Sequence, residues 1–199
     1  MCNFGKNSFT NYKNTFGVIQ IVRDPRNVIT SILNFFNKKN YDEAKEFLFD
    51  EKKIIGINLA NFHKEKLKDN NIITLIASWK THYNSWKNFK KNYLLIKYEN
   101  LINDPNQEFG KIRNYLETNL ALRFSEEKFN YAIEANSFLN LKKIENSKGF
   151  SENAIMASKK KVNFFNLGPE NDYRNFLDSK TKESIENVFF NEMKELNYI

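Results

Sequence analysis

The chain has 199 residues, of which 41% are hydrophobic and 15% aromatic, a composition that supports the core of one domain and excludes a disordered protein. Its 31 basic and 24 acidic residues give a formal net charge of +7, which favours an anionic partner: a nucleic acid, an acidic lipid surface or a phosphorylated small molecule. The single cysteine excludes an internal disulfide framework and a cysteine-based metal cluster.

Further absences bear on the location of the protein. No apolar run approaches the ~20 residues of a membrane span, and residues 1–17 contain no apolar core of a secretory signal. Although asparagine is abundant, no asparagine stands in an Asn-x-Ser/Thr glycosylation acceptor. Together with the lone Cys2, these features predict a cytoplasmic protein without an integral membrane segment.

Two short apolar segments, residues 17–22 and 93–98, predict buried strands because they are rich in β-branched, leucine and tyrosine side chains and bounded by polar residues. The first is followed by Asp24 and Pro25, which suit the N-cap and the first position of a helix. The pattern therefore predicts a strand that turns directly into a helix.

A second Asp-Pro pair, Asp104 and Pro105, predicts another helix start, with Gln107 placed for a capping box. Apolar spacing predicts further helices over residues 41–52, 71–90, 125–135, 137–144 and 179–196. Residues 149–170 form a long, weakly patterned segment, and such segments in compact domains are usually functional or disordered.

Strands alternating with long helices are typical of an α/β domain with parallel strands. No internal repeat or composition break divides residues 1–199, so we expect one domain. Two predicted strands are too few for a complete parallel sheet, and the pattern therefore predicts an incomplete parallel sheet flanked by helices.

The end of the first predicted strand carries the candidate site. Ligands of open parallel sheets gather at the carboxyl ends of the strands, and Arg23 lies there with a guanidinium suited to bidentate contact with a phosphate. Ser31 follows eight residues later and could donate to the same anion. Asp24 suits a cap better than an anion site, and for Arg26 we favour a solvated side chain over a second phosphate contact. Taken alone, Arg23 fits equally well a strand-end residue paired with a carboxylate.

The segment IVRDPRNVITS resembles the 3′-phosphate-binding segment of the sulfotransferases that use PAPS (3′-phosphoadenosine 5′-phosphosulfate). In that family an arginine at the strand end and a serine eight residues later bind the 3′-phosphate of the nucleotide. Arg23 and Ser31 match both the residue types and the spacing. The resemblance implies that these two residues bind the donor, and it implies a three-layer fold like that of the P-loop NTPases.

Three later segments are similar to the same family, in the same order. IKYENLINDP, residues 96–105, resembles its strand followed by Tyr-Glu-Asp-Leu and a helix-opening proline. Ser137 and Phe138 match an adenine-side Ser-Phe pair, which implies that both lie near the adenine. FFNLG, residues 164–168, is similar to a late loop reading Phe-x-Arg-Lys-Gly, in which Gly168 is retained.

The late loop departs from the family because Asn166 and Leu167 stand where an Arg-Lys pair is typical. We therefore expect a weaker or backbone-only contact with the 3′-phosphate there. The lysines at 159–161 are possible compensating charges.

The family's 5′-phosphosulfate loop and catalytic histidine precede the segment that Arg23 represents, and residues 1–22 contain neither. The chain is therefore expected to correspond to the C-terminal two-thirds of a sulfotransferase domain, truncated at its N-terminus, with a missing N-terminal fragment as a possible partner. His63 and His82, the only histidines, do not occupy the catalytic position, and no catalytic residue is assigned.

By resemblance, the intact enzyme would transfer a sulfuryl group from PAPS to an acceptor hydroxyl or amine, with no metal. Residues 34–49 and 149–165 are candidates for the acceptor side because they are rich in aromatics. One alternative is a non-catalytic remnant or interaction module that binds adenosine 3′,5′-bisphosphate weakly. A third hypothesis is a nucleic-acid-binding protein, which only the charge and the aromatic content motivate. We do not expect nucleic acid to be the partner.

Overall fold

A computed structural model describes residues 3–4, 7–8, 13–55, 74–89, 91–150 and 163–199. In these ranges the strands are β1 (Asn3–Phe4), β2 (Asn7–Ser8), β3 (Val18–Val22), β4 (Ile54–Ile55), β5 (Thr74–Leu75) and β6 (Tyr93–Lys97). The α-helices are α1 (Pro25–Phe35), α2 (Tyr41–Phe49), α3 (Trp79–Lys87), α4 (Tyr98–Asn103), α5 (Pro105–Leu120), α6 (Glu126–Ala135), α7 (Phe138–Lys148), α8 (Ser179–Val188) and α9 (Phe190–Glu195). Two 3-10 turns, Gly168–Glu170 and Tyr173–Asn175, precede α8.

The two predicted strands are confirmed, and they pair with each other. β3 and β6 run parallel in a register that joins Val18 to Tyr93 and Val22 to Lys97. The helices between them form the crossover that a parallel connection requires. The expected incomplete parallel sheet flanked by helices is therefore what the described residues form, although two small antiparallel pairs, β1 with β2 and β4 with β5, were not anticipated.

Both predicted helix starts are confirmed. The Asp24 carboxylate accepts a hydrogen bond from the Arg26 backbone N–H at 2.9 Å, and Pro25 opens α1. Asp104 caps α5 in the same way, accepting from the Gln107 N–H at 3.0 Å. Each aspartate satisfies a backbone donor that the first helical turn leaves unpaired.

Three predicted helices differ in extent from what their apolar spacing suggested, and the one expected over residues 41–52 ends at Phe49. The helix expected from residue 71 begins only at Trp79, because Ala77 has a left-handed φ of 53° and the Ser78 side chain caps α3. The preceding residues 74–75 pair with β4 instead. The helix expected over residues 179–196 is interrupted at Phe189, which separates α8 from α9.

The largest core cluster joins α1 and α2 to the C-terminal helices. Phe36 packs on Phe47 with ring centroids 4.4 Å apart, and Phe49 meets Phe189 edge to face at 5.2 Å. The buried members of the cluster are Ile29, Ile32, Ala44, Phe47, Leu48, Ile185, Phe189 and Met193. Because α1 contributes two of these side chains, the core fixes the helix that follows the candidate anion site.

The structure corrects the expectation for Arg26. Its side chain is not solvated: the residue is 4% exposed, forms a salt bridge with Asp24 at 2.6 Å and pairs with Glu186 of α8. It also donates to the Tyr198 carbonyl at 2.8 Å. The sequence pattern could not show this, because two of these partners lie far along the chain. Arg26 is therefore a structural cation that ties the start of α1 to the C-terminal helices.

Replacing Arg26 by methionine is expected to lower the free energy of unfolding by about 3–5 kcal/mol, since it leaves the buried Asp24 carboxylate without its cation. Urea unfolding measures the change. The matched control is Arg174→Met, since the side chain of Arg174 is 72% exposed and pairs with Asp172. That change should cost about 0–1 kcal/mol. Equal losses in the two variants would contradict the structural role of Arg26.

Candidate functional site

The register of β3 and β6 places two dipeptides side by side where the strands end. Because Val22 pairs with Lys97, the next residues are Arg23 and Asp24 on one strand and Tyr98 and Glu99 on the other. The Arg23 guanidinium carbon lies 4.3 Å from the centroid of the Tyr98 ring. The Asp24 N–H donates to the Glu99 carboxylate at 2.9 Å. The contact between the two strands thus continues beyond their carboxyl ends, through Arg23 on Tyr98 and Asp24 with Glu99.

A cavity of about 880 Å³ lies beside these strand ends. The five residues predicted to bind the nucleotide all line it: Arg23, Ser31, Ser137, Phe138 and Gly168. They come from a strand end, two different helices and a late turn, with Arg23 and Gly168 separated by 145 positions. The structure therefore brings the predicted set together, and its role in binding stays a prediction.

Arg23 has unused hydrogen-bonding capacity. Its Nη2 donates to the Gly168 carbonyl at a long 3.4 Å, and its buried Nε–H has no partner among the residues that the structure describes. Burial lowers the pKa of Arg23, while the nearby Tyr98, Glu99 and Asp24 act in the opposite direction. Within the same described ranges no carboxylate forms a salt bridge with Arg23, so the alternative of a carboxylate-paired arginine is not supported.

Gly168 has a conformation and a contact that require glycine. Its φ of +55° lies in the left-handed region, and a Cβ added there would be 2.3 Å from the ring of Phe138. The ring of Phe138 therefore packs directly against the backbone of the turn whose carbonyl faces Arg23. Gly168 thus contacts two other predicted site residues, Arg23 and Phe138.

The two serines present their hydroxyls differently. Ser31 is exposed on α1, about two turns after the start of the helix, which lies next to Arg23. Ser137 occupies the N-cap position of α7, but its side chain makes no capping hydrogen bond. A hydroxyl that does not cap its helix keeps its donor and acceptor for another partner.

The structure also brings together the ends of the two segments expected on the acceptor side. Phe35 and Phe164 meet edge to face with centroids 5.6 Å apart, and both line the cavity together with Phe36 and Phe165. Residues 151–162, which include the lysines at 159–161, lie outside the described residues, as does His63.

Tyr98 and Tyr198 were missed by the sequence analysis. Tyr98 lines the cavity, and its ring lies against the Arg23 guanidinium. Its position directly after a strand was the signal in the sequence that could have indicated a site residue. The Tyr198 hydroxyl donates to Glu99 at 2.9 Å, and Glu99 in turn accepts from Asp24. No local pattern indicates Tyr198, since its partner is 99 positions away.

Residues 8–197 match the family model described as Sulfotransferase domain, and the chain belongs to that family. Sulfotransferase 2A1 of Macaca fascicularis is 25% identical over 181 residues, covering 90% of this chain and 57% of that protein. A 3-alpha-hydroxysteroid sulfotransferase of Cavia porcellus is 28% identical over 143 residues, covering 67% of this chain and 45% of that protein. The chain thus spans about half the length of these relatives.

Two crystal structures show the same fold. Mouse sulfotransferase SULT7A1 in complex with PAP (adenosine 3′,5′-bisphosphate) superimposes with a TM-score of 0.60 at 18% identity, covering 89% of this chain and 58% of that one. Retinol dehydratase in complex with retinol and PAP superimposes with a TM-score of 0.57 at 17% identity, covering 89% of this chain and 48% of that one. The expected α/β sulfotransferase fold is confirmed.

Among the described residues, no helix has the length and apolar character needed to span a bilayer.

Gly168→Ala is expected to lower the free energy of unfolding by about 1–3 kcal/mol, because alanine strains the left-handed backbone and displaces Phe138. The control is Gly110→Ala in α5, where an added Cβ meets no atom within 4 Å. That substitution should stabilise the protein by about 0.5–1 kcal/mol, since alanine favours a helix over glycine. Urea midpoints that move in the same direction would contradict the constraint at Gly168.

Stability at high pH should depend on Tyr198. Burial raises the pKa of its phenol, and Glu99 raises it further. The folded chain therefore holds this proton more tightly than the unfolded chain, whose tyrosines titrate near about pH 10. The stabilisation is complete below that pH and is lost as the pH rises above it.

Urea unfolding of the wild type should show a free energy that falls between about pH 10 and 11.5, and Tyr198→Phe should show a shallower fall. The exposed Tyr131 supplies the control variant Tyr131→Phe, which should keep the wild-type slope. A Tyr198→Phe slope equal to that of the wild type would contradict the coupling of Tyr198 to the strand ends.

Proposed function

We propose that this chain carries the 3′-phosphate and adenosine half of the donor site of a PAPS-dependent sulfotransferase. The observation that carries the proposal is the buried Arg23 side chain, which lines the cavity and has an Nε–H that no described residue satisfies. A buried polar group without a partner is costly, and a bound phosphate would supply the missing acceptor. Membership of the sulfotransferase family and the PAP present in both structural neighbours support this assignment.

Each predicted residue has a distinct role in the proposal. Arg23 and Ser31 hold the 3′-phosphate, because a planar guanidinium and an exposed hydroxyl supply complementary donors. Ser137 and Phe138 contact the adenine, with the ring supplying an apolar surface and the hydroxyl a polar contact. Gly168 lets the backbone approach Arg23 and Phe138 without a side chain between them.

The intact enzyme would transfer a sulfuryl group from PAPS to an acceptor hydroxyl or amine. The residues of this chain would contribute by holding one end of the donor, so that its orientation is set before transfer. The aromatic wall formed by Phe35 and Phe164 is the candidate acceptor side. The acceptor-activating base and the grip on the transferring group are not assigned to residues of this chain.

Three further expectations belong to the same proposal. Residues 1–199 are taken as one domain corresponding to the C-terminal part of the family domain, and the protein is taken as cytoplasmic. An N-terminal fragment is the proposed partner that completes the enzyme. The alternative is a nucleotide-binding or interaction module without catalytic activity.

Titration calorimetry with PAP and with 5′-AMP tests the donor site. The wild type should bind PAP at least about tenfold more tightly, since Arg23 and Ser31 contact the additional phosphate. Arg23→Ala should weaken PAP binding about 10- to 100-fold and leave 5′-AMP binding nearly unchanged. The control Arg123→Ala removes an exposed arginine that does not line the cavity.

Equal affinity for PAP and 5′-AMP, with no effect of Arg23→Ala, would contradict the proposal. A steep salt dependence for any polyanion would instead indicate a nucleic-acid binder. Sulfuryl transfer measured with a supplied N-terminal fragment separates the enzyme from the binding module, which would bind PAP without turnover.

A further inference from the structure

One face of α7 contacts successive residues of the turn that ends at Gly168. We call residues 163–168 the Gly168 loop. Phe138, Lys142 and Glu145 recur at intervals of four and three along α7 and therefore share one face. Each of them touches the backbone of the loop at a different point, two of them through hydrogen bonds.

Glu145 makes the most buried of these contacts. The residue is 1% exposed, and its two carboxylate oxygens accept hydrogen bonds from the backbone N–H groups of Phe164 at 2.6 Å and Phe165 at 2.9 Å. A buried carboxylate is tolerated only where its charge is satisfied by hydrogen bonds. These two charge-assisted bonds therefore hold the start of the loop firmly against the helix.

The other two contacts continue along the loop. The Lys142 ammonium donates to the Asn166 carbonyl at 3.0 Å, and the Phe138 ring packs against Gly168. All three contacts leave the side chains of Asn166 and Leu167 unused. The contacts with α7 therefore hold the loop without these two side chains, while Phe164 also packs on Phe35 of α1.

Glu145 does not reach the cavity itself. It is not one of the described residues that line the cavity, whereas Gly168 is, and the Gly168 carbonyl accepts from Arg23. The path from Glu145 to the cavity consequently runs through the loop to Gly168 and Arg23. Apart from the long-range effect of its charge, a residue with this placement acts on a ligand by setting the position of other residues.

We propose that Glu145 is a positioning residue for the nucleotide: it anchors the Gly168 loop so that Gly168 meets Arg23 and Phe138 in the arrangement that receives the donor. This inference rests on the proposed function. It assigns a binding role to a carboxylate near a site for an anionic ligand, where its charge alone would oppose binding.

The charge of Glu145 and its hydrogen bonds to the loop therefore predict opposite changes in PAP affinity when the residue is replaced. Glu145→Gln removes a negative charge, so electrostatics alone predicts tighter binding of PAP. Loss of the anchor predicts the reverse, because the glutamine side chain has one acceptor oxygen for two backbone donors. We expect PAP binding about tenfold weaker in calorimetry at a temperature where both proteins are fully folded.

Glu134→Gln is the matched control, since it removes the same charge from an exposed residue at the rim of the same cavity. It should bind PAP at least as tightly as the wild type. In an Arg23→Ala background, Glu145→Gln should have little further effect, because its action passes through Arg23. Unchanged or tighter PAP binding by Glu145→Gln, or full additivity with Arg23→Ala, would overturn the proposal.

A second measurement needs no nucleotide and separates this inference from the proposed function. In NMR spectra, Glu145→Gln should speed the amide exchange of Phe164 and Phe165 at least about tenfold and shift the Arg23 Nε–H resonance. If the wild type fails to discriminate PAP from 5′-AMP, the proposed function fails, and these signals alone decide whether Glu145 positions Arg23. An unmoved Arg23 resonance would overturn the positioning role.

Glu145→Asp serves if the glutamine variant does not fold. The aspartate keeps the charge but is one methylene shorter, so it cannot reach both backbone amides. The same weaker PAP binding and the same changes in the amide and Arg23 signals are expected. Wild-type values for PAP binding, for amide exchange and for the Arg23 resonance would contradict the proposal.

Discussion

The parallel register of β3 and β6 is the constraint on which the rest of the site depends. Because Val22 is paired with Lys97, Arg23 emerges over Tyr98, and Asp24 emerges beside Glu99. A register shifted by one residue would turn every following side chain to the opposite face. The guanidinium, the helix cap and the aromatic ring beneath them are therefore positioned by one set of backbone hydrogen bonds.

Two arginines three positions apart differ in how far their surroundings satisfy them. Arg26 is enclosed by Asp24, Glu186 and the Tyr198 carbonyl, so its donors are satisfied within the protein. Arg23 is buried against Tyr98 with an N–H that no described residue satisfies. The first stabilises the junction of strand and helix, and the second is the one suited to an external anion.

The Gly168 loop shows how this family member is built without the expected Arg-Lys pair. Asn166 contributes its carbonyl to Lys142, and Gly168 contributes its carbonyl to Arg23. The loop is thus held through backbone atoms from both sides. The expected backbone contact between this loop and the 3′-phosphate stays a prediction, and the structure adds the contacts with α7 that the loop sequence does not reveal.

Local signals in the sequence determined the two strands, the Asp24 and Asp104 caps and, through resemblance, the five residues that line one cavity. The strands and caps depend on hydrogen bonds and apolar spacing within a few residues of one another, whereas the five cavity residues were assigned segment by segment from the resemblance. The start of α3 at Trp79 was decided instead by the left-handed Ala77 and by pairing with β4, and apolar spacing cannot report either. Only the tertiary structure could decide the burial of Arg26, the place of Tyr198 and the anchor at Glu145. Each depends on a partner brought close by packing, 160, 99 and 19 positions away respectively, because burial and charge pairing act through space and leave no period in the sequence.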